Sequence, residues 1–341
     1  MKLLITGGAG FIGANFVHYW VKNYPTDSLV VLDKLTYAGT KDSLHDIQDK
    51  ISFVQGDICD EQLVSELMRG IDTVVHFAAE SHVDRSIQEP LVFVKSNTLG
   101  TAVLLNAARI KGVKRFHHIS TDEVFGMLPV DSDIEWTEET PYDPTSPYSA
   151  SKAGADYLAR AFYKTYGMHV TLSNCANNYG PFHHPEKLLP LAITNILEET
   201  GKKIPIYGKG DQIREWLHVE DHCRAIDLIL RGGKPGETYL VSPDKPHPSN
   251  LEVIQTLLRL MGKDEDLIEF VPDRPGHDTK YANDSTKLRT ELGWKPNVSF
   301  EEGLKQTIEW YRNNQAWWKK IKSGEYKEYY EKQYQSVKHQ V

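Results

Sequence analysis

Thr6-Gly7-Gly8-Ala9-Gly10-Phe11-Ile12-Gly13 is the stretch that decides the fold of this chain. It follows the short apolar run 3–6 and opens a helical period over residues 11–24. Glycines at Gly7, Gly10 and Gly13 let the backbone turn tightly and approach a pyrophosphate, with Phe11 and Ile12 inside the turn. The helix start then offers N–H groups and a positive dipole end to it. A glycine-rich turn without a ligand has the same look, so the loop needs context. Asp33 provides it, ending the second apolar run 20 residues beyond Gly13. A carboxylate there can accept from both ribose hydroxyls. It also repels a 2′-phosphate, so NAD is expected rather than NADP. Asp57-Ile58 closes the third run and is placed to flank adenine.

Outward from that loop, residues 3–6, 29–32, 51–54, 73–77 and 115–120 are short, β-branched and apolar on both sides. Such runs suit a parallel sheet covered by helices. Helical periods over 11–24, 61–70 and 92–112 lie between them, so right-handed βαβ units are expected, closing into an α/β doubly wound parallel sheet of Rossmann type. Residues 169–174 read as a further strand. From Asn177 onward Pro, Gly and His cluster in 177–190, 201–211 and 241–250, with helices expected over 188–199, 219–230, 251–261 and 300–313. The expected division is an NAD-binding Rossmann domain over 1–176 and a smaller, loop-rich α/β substrate-binding domain with a C-terminal tail over 177–341. No Ser/Gly-rich spacer separates them, so interleaving is expected. The aromatic, Lys-rich tail from Trp317-Trp318 onward reads either as an amphipathic closing helix or as a solvated tail with a few anchoring rings.

The net charge of −8 argues against a nucleic-acid or anionic-membrane surface, since either needs a basic excess. Cys59, Cys175 and Cys223 are odd in number and widely spaced, and no CxxC occurs, so reduced thiols in a reducing compartment are expected. The start before Gly7-Gly8 is too short for a signal h-region, and no run of roughly 18 apolar residues occurs. A cytoplasmic location without a membrane span is the expectation.

Ser120-Thr121-Asp122-Glu123 and Tyr148-Ser149-Ala150-Ser151-Lys152 carry the chemistry. Tyr148 and Lys152, four apart, stack on one helix face. An ammonium beside a phenol favours phenolate, which can take a hydroxyl proton while hydride leaves for NAD. Lys152 can also hold the nicotinamide ribose. Hydride transfer alone needs no second acid, so Asp122 and Glu123 at a strand end suggest that water is also removed. Two adjacent carboxyls can act as acid and base if their environments push their pKa values apart. A helix cap or a solvated turn is the plainer reading of the same pair. Arg214, Arg274 and Lys187 sit in loops where cations suit a diphosphate, or else form surface ion pairs. His117-His118 and His183-His184 are adjacent, so their side chains diverge, no HExxH occurs, and no metal is expected.

With those residues in place, the chain resembles the extended short-chain dehydrogenase/reductases, and within them the dTDP-glucose 4,6-dehydratases. The resemblance rests on residues 6–13, 33–39, 78–86, 120–123, 148–152, 177–181, 185–187 and 273–278 and reaches to about Trp318. It implies NAD-dependent dehydration of a nucleoside-diphosphate hexose, dTDP-glucose first, to the 4-keto-6-deoxy sugar. Tyr148, supported by Lys152 and Thr121, would deprotonate the 4-hydroxyl, Glu123 would remove the C5 proton, Asp122 would protonate the 6-hydroxyl, and hydride would return to C6. The cofactor set would include Lys34, Leu35, Thr36, Ala78, Ala79, Ser81, Asn97 and Asn178. Ser81, Asn177, Glu186, Lys187, Pro205, Tyr207, Arg214, Asn250, Arg274 and His277 would hold the substrate. The resemblance also implies a homodimer paired through a helical bundle. Departures such as Phe125 in place of the family's usual Tyr, Lys280 in place of Arg, and Val241-Ser242-Pro243 leave the base and the sugar 2-substituent open. The alternatives are therefore a UDP-N-acetylglucosamine 4,6-dehydratase, a 4-epimerase needing no C5 base, and a non-catalytic NAD sensor.

Overall fold

The structure is a computed structural model that describes residues 1–273 and 277–323. From the N-terminus, β1 (Lys2–Thr6), α1 (Phe11–Asn23), β2 (Ser28–Asp33), β3 (Ile51–Gln55), α2 (Glu61–Leu67) and β4 (Thr73–His76) alternate. A broken helical run follows, with α3 (Val83–Gln88), α4 (Pro90–Phe93), a π-helical stretch Val94–Leu99 and α5 (Gly100–Lys111). Next come β5 (Arg115–Thr121), α6 (Pro147–Tyr166), β6 (Val170–Cys175), β7 (Asn177–Tyr179), α7 (Leu188–Leu197) and β8 (Ile204–Tyr207). The remainder is β9 (Trp216–His218), α8 (Val219–Gly232), β10 (Thr238–Val241), α9 (Asn250–Met261), β11 (Ile268–Val271), α10 (Thr286–Leu292), α11 (Phe300–Asn313) and α12 (Gln315–Lys322).

Seven strands form one parallel sheet in the order β10-β6-β5-β4-β1-β2-β3, the doubly wound arrangement expected from the sequence. Strand order reverses between β1 and β4, and such a switch point opens a crevice at the carboxyl ends of the strands. In register, Thr6 lies opposite both Leu32 and His76. The loop after β1, Asp33 at the end of β2 and the segment after β4 therefore emerge side by side. Alternation along β1 explains the two-sided burial: Leu3 and Ile5 pack under α1 and α8 with Phe16, Trp20 and Ile226, while Leu4 packs on the other face with Leu104 and Phe116.

Helix α6 starts with Ser146 and Ser149 in a reciprocal cap, with Pro147 in the first turn, and ends at Gly167 in the left-handed conformation (φ 65°). Its buried face carries Tyr148, Lys152 and Asp156, while Tyr157, Tyr163 and Tyr166 are exposed. The helical run Pro90–Lys111 is long and apolar enough by length and composition to cross a membrane, a feature the search for uninterrupted apolar runs did not register. Half of its apolar window is already buried in this fold.

The second half holds a separate apolar cluster in which Ile193, Ile204, Leu257, Leu304 and Trp318 pack together. Trp318 is fully buried and α12 ends at Lys322, so the first part of the tail is an anchored helix. The rest of the tail lies outside the described residues. The chain also returns to the large sheet after this region begins, since β10 pairs with β6.

Candidate active site

The glycine loop has the shape a pyrophosphate needs. Gly7 has a positive φ of 72°, and a Cβ there would sit 2.5 Å from the Ala78 nitrogen. A Cβ on Gly13 would sit 2.2 Å from the Gly7 carbonyl oxygen. Only glycine allows the loop, α1 and the segment after β4 to close together. The N-cap of α1 is Gly10, with no side-chain cap and no acidic residue in the first turn, so nothing negative competes for an anion. The Asp33 carboxylate is fixed by N–H donors from Ala9 (2.9 Å) and Leu35 (2.8 Å). Burial still pushes its pKa up. Lys34 pairs with Asp57 at 2.9 Å across the outer rim. The cradle and its donor set fit a dinucleotide.

At the end of β5 the chain turns through the short 3-10 segment Asp122–Phe125, capped by the Thr121 hydroxyl, which accepts from the Glu123 N–H at 3.3 Å. Capping falls to Thr121, which leaves both carboxylates for other work. Asp122 is 1% exposed, and Asn283 Nδ2 donates to its Oδ2 at 2.9 Å. Burial raises its carboxyl to about 7; the Asn283 hydrogen bond and the Arg214 guanidinium oppose the rise, and the Glu123 charge adds to it. Glu123 is half-buried and bears electrostatically on Tyr148 and Tyr281.

Tyr148 lies across from this turn, with the Thr121 side chain hydrogen-bonded to its phenol. Burial, then the Glu123 carboxylate, hold the phenol well above its usual pKa. The sequence expectation had Lys152 drawing it down. In the structure Lys152 Nζ donates to the Ile119 carbonyl at 2.7 Å, and burial lowers its own pKa. Below them, the fully buried Asp156 binds α6 to β5 and β6. It accepts from Ser120 (2.8 Å), Tyr142 (2.9 Å) and Asn174 (3.2 Å) and lies 3.1 Å from His118 Nε2. Burial opposes its charge, yet His118, Ser120 and the Lys152 ammonium hold it below the usual carboxylate range. His117 faces the other way, onto Thr171 (2.9 Å) and Ser173 (3.1 Å), as adjacent strand positions require.

The far wall comes from the second half. Arg214 is 6% exposed, stacks over Tyr281 at 4.1 Å, and donates to the Asp278 carbonyl at 2.7 Å. His277 Nδ1 is 2.6 Å from Asp273. Lys187 Nζ donates to the Ser81 carbonyl at 3.1 Å, joining the two walls. Glu186, pushed up to about 7 by burial, lies 3.5 Å from Arg85 and 3.8 Å from His184. Asn177 lines the cleft, and its side-chain oxygen is buried with no hydrogen-bond partner.

One cleft of about 440 Å³ takes in the expected site residues with three exceptions. Leu35 contributes its N–H to Asp33, and its side chain packs on the core beneath α1. Asn97 is 1% exposed, and its carboxamide accepts from the Glu80 N–H (2.8 Å) and donates to Ser151 (2.8 Å), behind the cleft wall. Arg274 lies outside the described residues. Asn178 lines the cleft, but its amide donates to the Ala176 carbonyl at 2.9 Å and its oxygen is 3.0 Å from His222. Sequence reasoning missed Glu80, Cys175, His183, Trp216 and Tyr281, which also line the cleft. Tyr281 carried a readable signal, one residue beyond Lys280 in a segment already singled out. Among the described residues no group of three or more His, Cys, Asp or Glu side chains is placed to hold a metal.

The family model described as GDP-mannose 4,6 dehydratase matches residues 4–307. The dTDP-glucose 4,6-dehydratase of Mycobacterium tuberculosis is 52% identical over 97% of this chain and 99% of its own. The chain belongs to the dTDP-glucose 4,6-dehydratase family. Among solved members of that family, DesIV from Streptomyces venezuelae, crystallised with NAD, superimposes with a TM-score of 0.91 at 47% identity, covering 94% of this chain and 100% of that one. The Bacillus anthracis dTDP-glucose 4,6-dehydratase in complex with NAD gives a TM-score of 0.87 at 43% identity, covering 94% and 99%. The family match spans the glycine loop, the Asp122-Glu123 turn and Arg214 alike, so the dehydratase resemblance covers both walls of the cleft.

Proposed function

We propose that this chain is an NAD-dependent dTDP-glucose 4,6-dehydratase, converting its substrate to the 4-keto-6-deoxy nucleotide sugar with loss of one water. The observation that carries the reading is the buried, proton-retaining Asp122 beside Glu123 in the same cleft as Tyr148. A 4-epimerase needs neither a C5 base nor an acid for a leaving hydroxyl.

Residues of the glycine loop, Asp33, Thr36, Ile58, Ala78 and Ala79 would hold NAD, which would supply a hydride acceptor for C4 and a hydride donor for C6. Tyr148, oriented by Thr121 and with the Lys152 ammonium one helical turn away, takes the proton of the 4-hydroxyl from its phenolate form, which its burial disfavours. Oxidation at C4 makes the adjacent C5–H acidic, and Glu123 removes it. Asp122, whose carboxyl burial raises to about 7, hands its proton to the 6-hydroxyl, and water leaves. Two neighbouring carboxyls can divide the work when their surroundings differ, and Asp122 is buried where Glu123 is half-buried. On the opposite wall Lys187, Arg214 and His277 are the cations for a diphosphate, with Asn177, Pro205, Tyr207 and Asn250 around the nucleoside and Ser81 near the sugar.

The same reading includes a homodimer. Leu91, Leu99, Ile110, Tyr157 and Tyr166, each more than half exposed, give the paired helices α5 and α6 and the run before them an apolar outer face. Free thiols at Cys59, Cys175 and Cys223 support a reducing, cytoplasmic setting. The test is dTDP-glucose carrying deuterium on C4. The product should be lighter by one water and keep the label on C6. Label lost to solvent, or a galactose nucleotide of unchanged mass, would overturn the assignment.

A further inference from the structure

Behind the cleft, a single amide joins two buried carboxyls. Asn283 Nδ2 donates to Asp122 Oδ2 at 2.9 Å and also to Glu215 Oε2, which takes a further hydrogen bond from the Asn283 backbone N–H at 3.0 Å. The three side chains are 3%, 1% and 0% exposed and come from segments far apart in the chain. Asn283 and Glu215 do not line the cleft. The other Glu215 oxygen, Oε1, is 3.2 Å from His247 Nε2.

We propose that Asn283 is a positioning residue for the elimination step, assigning the acid proton of Asp122 to Oδ1, the oxygen beside Thr121. The proposal rests on the reading of Asp122 as the acid. Its chemistry is that of the amide nitrogen, which donates and cannot accept. The oxygen facing that nitrogen accepts, and the carbonyl oxygen of a protonated carboxyl is its better acceptor, so the hydrogen bond favours the proton on the other oxygen of Asp122. That oxygen is Oδ1, 3.4 Å from the Thr121 hydroxyl, which can donate to it or, with its own O–H turned to the Tyr148 phenol, accept from it, and which lines the cleft. The same rule sends any proton on Glu215 to Oε1, toward His247 and away from Asp122. In the reaction Oδ1–H passes its proton to the 6-hydroxyl, the C6–O bond breaks with its electron pair going to the departing water, and Glu123 takes the C5 proton as the C5–C6 double bond forms. Asp122 is left as a carboxylate, and the Asn283 hydrogen bond stabilises that charge. One amide therefore orients the acid before transfer and solvates its conjugate base afterwards.

The groups facing Asp122 are Glu123 on its own turn, Tyr148 from α6, Cys175 from β6, and Arg214 and Glu215 from the segment before β9, with Tyr281 facing Glu123 and Arg214. Removing the Asn283 donor withdraws a stabiliser of the anion, so the alkaline limb of the elimination rate should move to higher pH while the plateau falls.

The test is Asn283→Leu in the full chain, loaded with NAD, in single turnovers of dTDP-glucose. Elimination should slow by about 10- to 100-fold, no more than the roughly 100-fold lower end of what a general acid itself contributes, as suits a residue acting through the acid. KM should stay within about two-fold of wild type, because uniform binding is untouched. Reduced nicotinamide should accumulate in each turnover, since oxidation at C4 is spared, and the alkaline limb should shift upward. A purely structural role would slow oxidation and elimination together and leave the limb in place; that result, or no change in elimination, overturns the proposal. Where Asn283→Leu fails to fold, Asn283→Ala takes its place with the same readouts. Asp122→Asn separates the two layers. Normal elimination in that variant refutes the acid role itself, whereas blocked elimination there with normal elimination in the Asn283 variant refutes the positioning role alone.

Discussion

Replacing Asp122 by Asn should silence the enzyme and stabilise the protein, by a margin that grows with pH. Burial holds the Asp122 carboxyl near 7 in the native state, against 3.8 for the ordinary group. Below about pH 4 both folded and unfolded chains carry the proton, and the carboxyl contributes nothing to stability. Between about 4 and 7 the unfolded chain releases the proton while the native one keeps it, so stability falls as pH rises. Above about 7 the full cost applies. A rise of about three pH units at about 1.4 kcal/mol each makes ~4 kcal/mol. The introduced amide is neutral at every pH and the same size. It can turn its oxygen to Asn283 and its NH₂ to Thr121, so no partner is stranded. At roughly 1–2 °C per kcal/mol for a chain of this length, Asp122→Asn should melt some 4–8 °C above wild type at pH 8. The two should coincide at pH 4. Paired melts of the NAD-free proteins from pH 4 to 8 measure the gap. Glu186, also raised to about 7 by burial, titrates alike in both and drops out of the difference. A gap that does not change with pH, or a variant less stable at pH 8, would refute the reasoning that burial keeps Asp122 protonated.

Three further outcomes are expected. Tyr148→Phe removes the phenol that Thr121 hydrogen-bonds at the Asp122-Glu123 turn. Turnover should drop at least about 1,000-fold, with NAD affinity by fluorescence titration little changed; turnover within ten-fold of wild type would count against its role. Gly13→Ala places a methyl 2.2 Å from the Gly7 carbonyl oxygen, so the loop must open. NAD affinity should weaken at least about ten-fold in calorimetry, since overpacking costs about 1–3 kcal/mol, while affinity for dTDP, held by the other wall, should persist. Leu99→Glu plants a charge on the apolar outer face, where Leu99 is 51% exposed. Light scattering should show a monomer, and an undisturbed dimer would move the proposed interface elsewhere.

The Rossmann half was legible because its strands are buried on both sides and bounded by turn residues. Runs read at 3–6, 29–32, 51–54, 73–77, 115–120 and 169–174 became β1 to β6 within a residue or so at each end. In the second half the helices Leu188–Leu197, Val219–Gly232, Asn250–Met261 and Phe300–Asn313 were legible, while α10 and the strands were not. β8, β9, β10 and β11 are three or four residues long and sit among Pro and Gly, too short for a period of two to emerge. Their identity as strands comes from pairing, as when Thr238 meets Leu172. The candidate residues of the Asp122-Glu123 turn and of α6 could be read together because Tyr148 and Lys152 share a helix turn and Asp122-Glu123 follow a strand. Its support could not: Asn283 reaches Asp122 across 161 positions and Glu215 across 68, and no local pattern encodes a contact made by folding. Asn97 shows the reverse limit, a residue near the cofactor loop whose amide bonds to Glu80 and Ser151 instead.

The late arrival of β10 has an evolutionary reach. Leu240 packs against Val124 and Phe125 of the Asp122-Glu123 turn and Ala153 of α6, so an edge strand of the large sheet buttresses the helix that carries Tyr148 as well. A chimera spliced just after β6 would draw that strand from whichever parent donated the sugar-nucleotide half. Recombination between paralogues could then not trade substrate preference as a free module: each graft would bring its own brace for Tyr148, and descendants would keep only exchanges in which the imported brace fits the resident helix.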